Sequence, residues 1–118
     1  MNRIALVRIA AVFCFVAVAL GAFGAHALKA TLQASGMLDA WNKAVLYHLV
    51  HAVALVALAL HGAGNRMSYF LLAAGILLFS GSLYTMAVTN VRWLGAITPF
   101  GGLCFLAGWA WLIIAPRI

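Results

Sequence analysis

The chain has 118 residues, of which 68% are apolar and only 7% charged; ordinary soluble domains carry about a quarter charged residues, so a fold bathed in water is excluded. Seven Lys and Arg stand against one acid, Asp39, for a formal charge of +6. The basic residues Arg3, Arg8, Lys29, Lys43, Arg66, Arg92 and Arg117 are scattered at or beyond the ends of apolar runs, which suits lipid headgroups and excludes the basic stripe that nucleic acid requires.

A helix needs about 20 apolar residues to cross the hydrocarbon, and four runs qualify, at about 4–27, 41–60, 67–88 and 94–115. In lipid each must satisfy its own backbone, so helices are required, and the runs lack the alternation of barrel strands. Short connections make neighbours antiparallel. The expected fold is all-α: one transmembrane domain over 1–118, an integral membrane four-helix bundle running up-down-up-down.

The first run opens with Arg3 and Arg8 and closes with Ala25-His26-Ala27, an A-x-A-like site. It is long enough to span, and Ala17, Gly21 and Ala25 recur at four-residue spacing with Gly24 beside them, as helix packing in lipid requires. It is therefore expected to be retained. In the connection that follows, Leu28 and Leu32 share a helical face, which predicts a short piece along the membrane surface ended by Gly36. Asp39 then stands where the second span needs an N-cap, within reach of Lys43 at i+4.

The second run carries Tyr47, His48 and His51, with His61 at its far end. The third offers Gly75 and Gly81 for packing, with Ser80, Ser82 and Tyr84 towards its end. Before the fourth, Thr98-Pro99 predicts either a kink or a late start in which Trp93 to Ile97 forms an interfacial loop. Gly101 and Gly102 allow close approach, and Gly101, Cys104, Gly108 and Ala115 form one stripe. Cys14 and Cys104 show neither metal spacing nor a disulfide framework and read as small buried side chains. Trp41 and Trp93 are expected in one aromatic belt, Tyr69, Trp109 and Trp111 in the other.

With both termini inside, Arg3, Arg8, Arg66 and Arg117 face the cytoplasm, against Lys29, Lys43 and Arg92 outside. Four against three favours this orientation weakly under the positive-inside rule. The same topology gathers His26, Tyr47, His48, His51, Ser80, Ser82, Tyr84 and Thr98 in the outer half of the bundle and leaves the inner half apolar.

Polar groups at such depth need a reason. One is hydrogen bonding of the histidines to Ser80, Tyr84 or backbone carbonyls, fixing helix register. A second is ligation of a metal or haem iron, with His26 and His51 the weak candidates and no carboxylate to complete the shell. A third is proton relay or a path through an oligomer, since imidazole is poised near neutral pH. Small four-span proton-coupled exporters depend on a carboxylate within a span, which this chain lacks. Ser80 and Ser82 have no nucleophile-elbow pattern around them and no acid to orient a histidine. Gly21-Ala-Phe-Gly24 lies inside an apolar helix and is no phosphate loop.

Gly21-Ala-Phe-Gly-Ala-His-Ala-Leu-Lys29, Ala44-Val-Leu-Tyr-His-Leu-Val-His-Ala52, Phe79-Ser-Gly-Ser-Leu-Tyr84 and Thr98-Pro-Phe-Gly-Gly-Leu103 with Gly108-Trp109 resemble, in order, the motifs of the YgdD/YwdK-type family of small inner-membrane proteins. The resemblance covers nearly the whole chain and implies a four-helix membrane protein, with no established activity. Its pattern admits Gln at the position of His48, which favours hydrogen bonding there over ligation.

The expectation is thus a bacterial inner-membrane protein, not an enzyme and without an assigned cofactor. It would be an accessory or structural subunit partnered by the bilayer and by a larger membrane complex or further copies of itself. The alternatives are a histidine-based haem, metal or proton-relay site, or a small transporter or channel acting as an oligomer.

Overall fold

The computed structural model describes residues 2–61 and 63–118, apart from the side chain of Ala63, and every regular element among them is a helix. Helix α1 (Arg3–Ala25) is capped by Asn2, whose side-chain oxygen accepts from the Ala5 N–H at 2.8 Å. A short helix α2 (Lys29–Ser35) ends at Gly36, whose φ of 74° is the left-handed conformation a C-terminal glycine supplies. Helix α3 (Leu38–His61) is the second span. The third span is continuous over Arg66–Thr89. It comprises α4 (Arg66–Gly75), a π-helical turn (Ile76–Ser80) and α5 (Gly81–Thr89). A 3-10 turn (Arg92–Ala96) leads into α6 (Thr98–Ile114).

Among the described residues four helical segments are long and apolar enough to cross a membrane: Arg3–Ala25, Leu38–His61, Arg66–Thr89 and Arg92–Ile114. Their order is sequential. Helix α1 packs chiefly on α3, α3 on the third span, and the third span on α6. The second and third spans are therefore central and the most buried, and the first and fourth flank them.

Two apolar clusters fill the interior. One joins Leu6, Ala10, Leu55, Ala59, Tyr69, Leu72, Ile76 and Phe105. The other joins Leu32, Met37, Trp41 and Ala87 beneath the first connection. Leu32 thus faces protein instead of lying in the membrane surface, and it is 1% exposed.

Small residues set the helix separations, though not all those expected. A Cβ on Gly24 would strike the Trp41 indole, one on Gly101 the main chain of Phe79, one on Gly75 the Phe105 ring, and one on Gly108 would come within 2.8 Å of Leu72. At Gly21 the nearest atom is Val45 Cγ1 at 3.2 Å, while Gly81 and Gly102 have open space. Gly81 and Gly102 therefore do not serve close packing, and Gly75 does.

Thr98-Pro99 is a late start: Pro99 sits in the first turn of α6, where its missing N–H removes no helical bond. Asp39 is not an N-cap, because α3 begins one residue earlier at Leu38; its carboxylate pairs with Lys43 Nζ at 3.1 Å on an exposed face.

Past α6 the chain is clamped. The Asn65 amide donates to the Arg117 carbonyl at 3.0 Å, and its oxygen accepts from the Arg117 N–H at 2.9 Å. Asn65→Ala should lose both bonds, a cost of roughly 1–2 kcal/mol. The expected result is faster trimming of the tail by carboxypeptidase with the four spans intact; an unchanged trimming rate would dismiss the clamp.

Candidate functional site

The centre of the molecule is a network of polar side chains carried by α3 and closed by the third span and α6. An α-helix places residues three or four apart on one face, so Ala44, His48, His51 and Leu55 all turn inward from α3 and are buried. His48 is 3% and His51 6% exposed.

The hydrogen bonds around His51 fix its proton. Its Nδ1 lies 2.7 Å from the Tyr47 carbonyl, which can only accept, and its Nε2 lies 3.1 Å from the Trp109 indole N–H, which can only donate. The ring is therefore the neutral Nδ1–H tautomer with both nitrogens engaged. It stacks on Phe105 with ring centroids 3.8 Å apart.

Three further contacts join the helices. The Ser80 hydroxyl, buried in the π-helical turn, donates to the Ala44 carbonyl at 2.7 Å. The Ser82 hydroxyl donates to the Phe79 carbonyl at 2.9 Å and meets the Thr98 hydroxyl at 2.7 Å. His48 Nδ1 lies 2.9 Å from the Tyr84 hydroxyl, while its Nε2 approaches the Phe13 backbone without reaching hydrogen-bond geometry.

Most of the expected polar layer is thus assembled by direct contact: His48 with Tyr84, Ser82 with Thr98, and His51 with the backbone of Tyr47. The Tyr47 side chain is itself exposed but packs on Phe79, ring centroids 4.8 Å apart. His26 does not join them. It follows the last turn of α1 and is exposed. With His51 Nε2 occupied by an indole N–H, no shell forms from His26 and His51. No group of three or more His, Cys, Asp or Glu stands close enough to hold a metal among the described residues.

Two aromatic residues expected in the interfacial belts are structural. Trp41 is 2% exposed, and its indole donates to the Leu20 carbonyl of α1 at 3.0 Å. Gly24, one turn further along α1, leaves room for that ring. Tyr69 is also buried and donates to the Leu6 carbonyl at 2.7 Å. The half of the bundle that holds Tyr69 is therefore not purely apolar, and Ser68 beside Tyr69 is buried with no partner for its hydroxyl among the described residues. Trp93, by contrast, is exposed.

Trp109 is the residue of the network that reasoning from sequence placed elsewhere. Its signal is the packing glycine Gly108 beside it, which draws that part of α6 onto the third span.

These features define a small multi-pass α-helical membrane protein with an internally bonded polar core. The family described as "Protein of unknown function (DUF423)" matches residues 20–102. The UPF0382 membrane protein YwdK of Bacillus subtilis is 42% identical over 111 residues, covering 89% of each chain. The UPF0382 inner membrane protein YgdD of Escherichia coli is 42% identical over 112 residues, covering 89% of this chain and 83% of its own. The UPF0382 membrane protein SH2409 of Staphylococcus haemolyticus is 44% identical over 99 residues, covering 80% of each. The chain belongs to this UPF0382/DUF423 family, as its motifs imply. No solved structure matches it.

Proposed function

We propose that the protein is a non-enzymatic accessory subunit of the bacterial inner membrane, in which the polar layer serves to hold the helices in register. The carrying observation is His51. Both ring nitrogens are committed to neighbours within the bundle, so the imidazole is neither a free base nor a free ligand. Ser80 and Ser82 direct their protons at backbone carbonyls, where a hydroxyl is no nucleophile. Interhelical polar contacts of this kind contribute about 0.6–2 kcal/mol each in a membrane.

The outward faces of α1 and α6 support docking to a larger complex or to further copies. Phe15, Phe23, Phe100, Leu106 and Ile113 are all exposed there, and they suit either lipid or an apolar partner helix. The inner-membrane location follows the name of the E. coli relative. A cytoplasmic position for both termini is supported by the count of Arg3, Arg8, Arg66 and Arg117 towards that side against Lys29, Lys43 and Arg92 towards the other.

The protein purified in mild detergent is expected to be colourless and to contain no stoichiometric metal. A Soret band, or metal lost in His51→Ala, would overturn the accessory reading in favour of a histidine-based centre. Co-purification with one defined membrane complex, diminished by polar substitutions on the α1 or α6 outer face, would identify the partner.

A further inference from the structure

Helix α1 and the third span are tied together at two levels and part between them. Near the start of α1 the Tyr69 hydroxyl donates to the Leu6 carbonyl at 2.7 Å. Near its end the Trp41 indole donates to the Leu20 carbonyl at 3.0 Å and stands edge-on to Tyr84, ring centroids 4.8 Å apart. Otherwise α1 packs chiefly on α3. A slot of about 450 Å3 is left between α1 and the third span, with Val12 and Val16 on one wall and Leu77 and Gly81 on the other.

The polar side chains behind these walls are engaged within the protein. Tyr84 is bonded to His48 at 2.9 Å and Ser80 to the Ala44 carbonyl at 2.7 Å. The slot therefore offers hydrocarbon surface to its occupant. A transmembrane helix is too thick to enter: at about 10 Å across, ten residues of it fill roughly 1,200 Å3. An acyl chain, one methylene thick, is not.

Arg8 selects among lipids. It lines the slot, is exposed, and has no hydrogen-bond or ion-pair partner among the described residues. The single acidic side chain, Asp39, pairs with Lys43 at 3.1 Å in the first turns of α3, at the far end of the bundle. No carboxylate side chain of this protein can serve Arg8, so its counter-ion comes from the surroundings.

Depth fixes where that counter-ion lies. Arg8 is the sixth of 23 residues in α1. At 1.5 Å per residue and a core of about 30 Å, its Cα lies about 5 Å inside the hydrocarbon edge. Helical side chains lean towards the N-terminus, here towards that edge, and arginine snorkels the remaining distance. Its guanidinium then stands at the level of lipid phosphates, which accept from the planar fork through two oxygens. Val16 lies about 12 Å further along α1, close to the midplane. From Arg8 inward, the slot thus runs the depth of one leaflet.

We propose that the slot between α1 and the third span binds an anionic phospholipid of the leaflet in which α1 starts, its phosphate on the Arg8 guanidinium and one acyl chain laid between the two helices. The Gly81 position keeps the slot clear, since an added Cβ there meets nothing within 4 Å.

The test is titration of the purified full chain in mild detergent with palmitoyl-oleoyl phosphatidylglycerol and, separately, with the phosphatidylcholine of the same chains, each read as a saturable rise in melting temperature. Wild type should respond to phosphatidylglycerol at least about tenfold more tightly, the least expected from one charge-assisted hydrogen bond. Arg8→Gln should keep its unliganded melting temperature and lose that preference. Lys29→Gln, at the opposite end of α1, should retain it. Gly81→Leu, which fills the slot, should lose the response to both lipids. Val12→Trp fills it from the other wall and replaces Gly81→Leu if that variant is itself destabilised. Equal affinity of wild type for the two lipids would overturn the proposal, as would a preference that survives in Arg8→Gln or disappears equally in Lys29→Gln. So would an unaltered response in the filled slot, or the same rise produced by glycerol 1-phosphate, which would leave an anion site with no part for the slot. None of these results bears on the accessory role, whose test is pigment, metal and partner content.

Discussion

Gly101→Ala is expected to melt far below wild type in detergent, whereas Gly102→Ala, one residue on, should be neutral or slightly more stable. The added methyl at residue 101 would occupy the space of the Phe79 main chain. Backbone cannot rotate away as a side chain can, and here it belongs to the π-helical turn that carries Ser80. α6 would have to lift off the third span, and both the Ser82–Thr98 and the His51–Trp109 contacts depend on that separation. Overpacking of this severity costs roughly 3 kcal/mol, the upper end of the usual range. At Gly102 the new methyl enters open space, and replacing a mid-helix glycine gains up to roughly 1 kcal/mol. Equal melting temperatures for the two variants would show that the α6 interface is misplaced.

Trp41→Ala should be the second severe change, against a near-silent Trp93→Ala. Trp41 is 2% exposed and Trp93 68%. Removing the indole empties the space between α1, α3 and α5, leaves Gly24 without its cover, and withdraws the edge-on contact to Tyr84 at 4.8 Å. Large aromatic truncations in water-soluble cores cost about 3–5 kcal/mol. In a bilayer the transfer part is smaller, because lipid is as apolar as the core, so roughly 2–3 kcal/mol is expected from lost packing and the bond to Leu20. Trp41→Phe should recover most of the packing and lose only the bond. Thermal unfolding of the three variants separates the outcomes. If both Trp→Ala variants behave alike, Trp41 belongs to an interfacial belt after all.

The spans were legible because lipid leaves a crude and unambiguous mark: about twenty apolar residues bounded by charge. Each expected boundary falls within about three residues of a helix end. The polar pairs were partly legible, since three-residue spacing sends His48 and His51 to one side of α3 whatever surrounds it. Which partner each would take was not, because that depends on the rotation of neighbouring helices. Trp41 shows the difficulty. A tryptophan near the start of a span fits an aromatic belt by composition, and only the absence of a side chain at Gly24, seventeen residues earlier, lets α1 cover it. Gly81 and Gly102 show the reverse. Glycine within an apolar helix suggests close packing, yet at these two positions no neighbour approaches. The π-helical turn had no visible signal, since Ile76-Leu-Leu-Phe-Ser80 is as apolar as its flanks.

Arg3 donates to the Leu60 carbonyl, and Asn65 holds the main chain of Arg117. Both extremities of the polypeptide are thereby fastened to the same bend between the second and third crossings. One topology reporter, fused at either terminus, would therefore give the compartment of both. A fusion after Ile118 would need a flexible linker, because the residue just before it is already occupied in closing the bend.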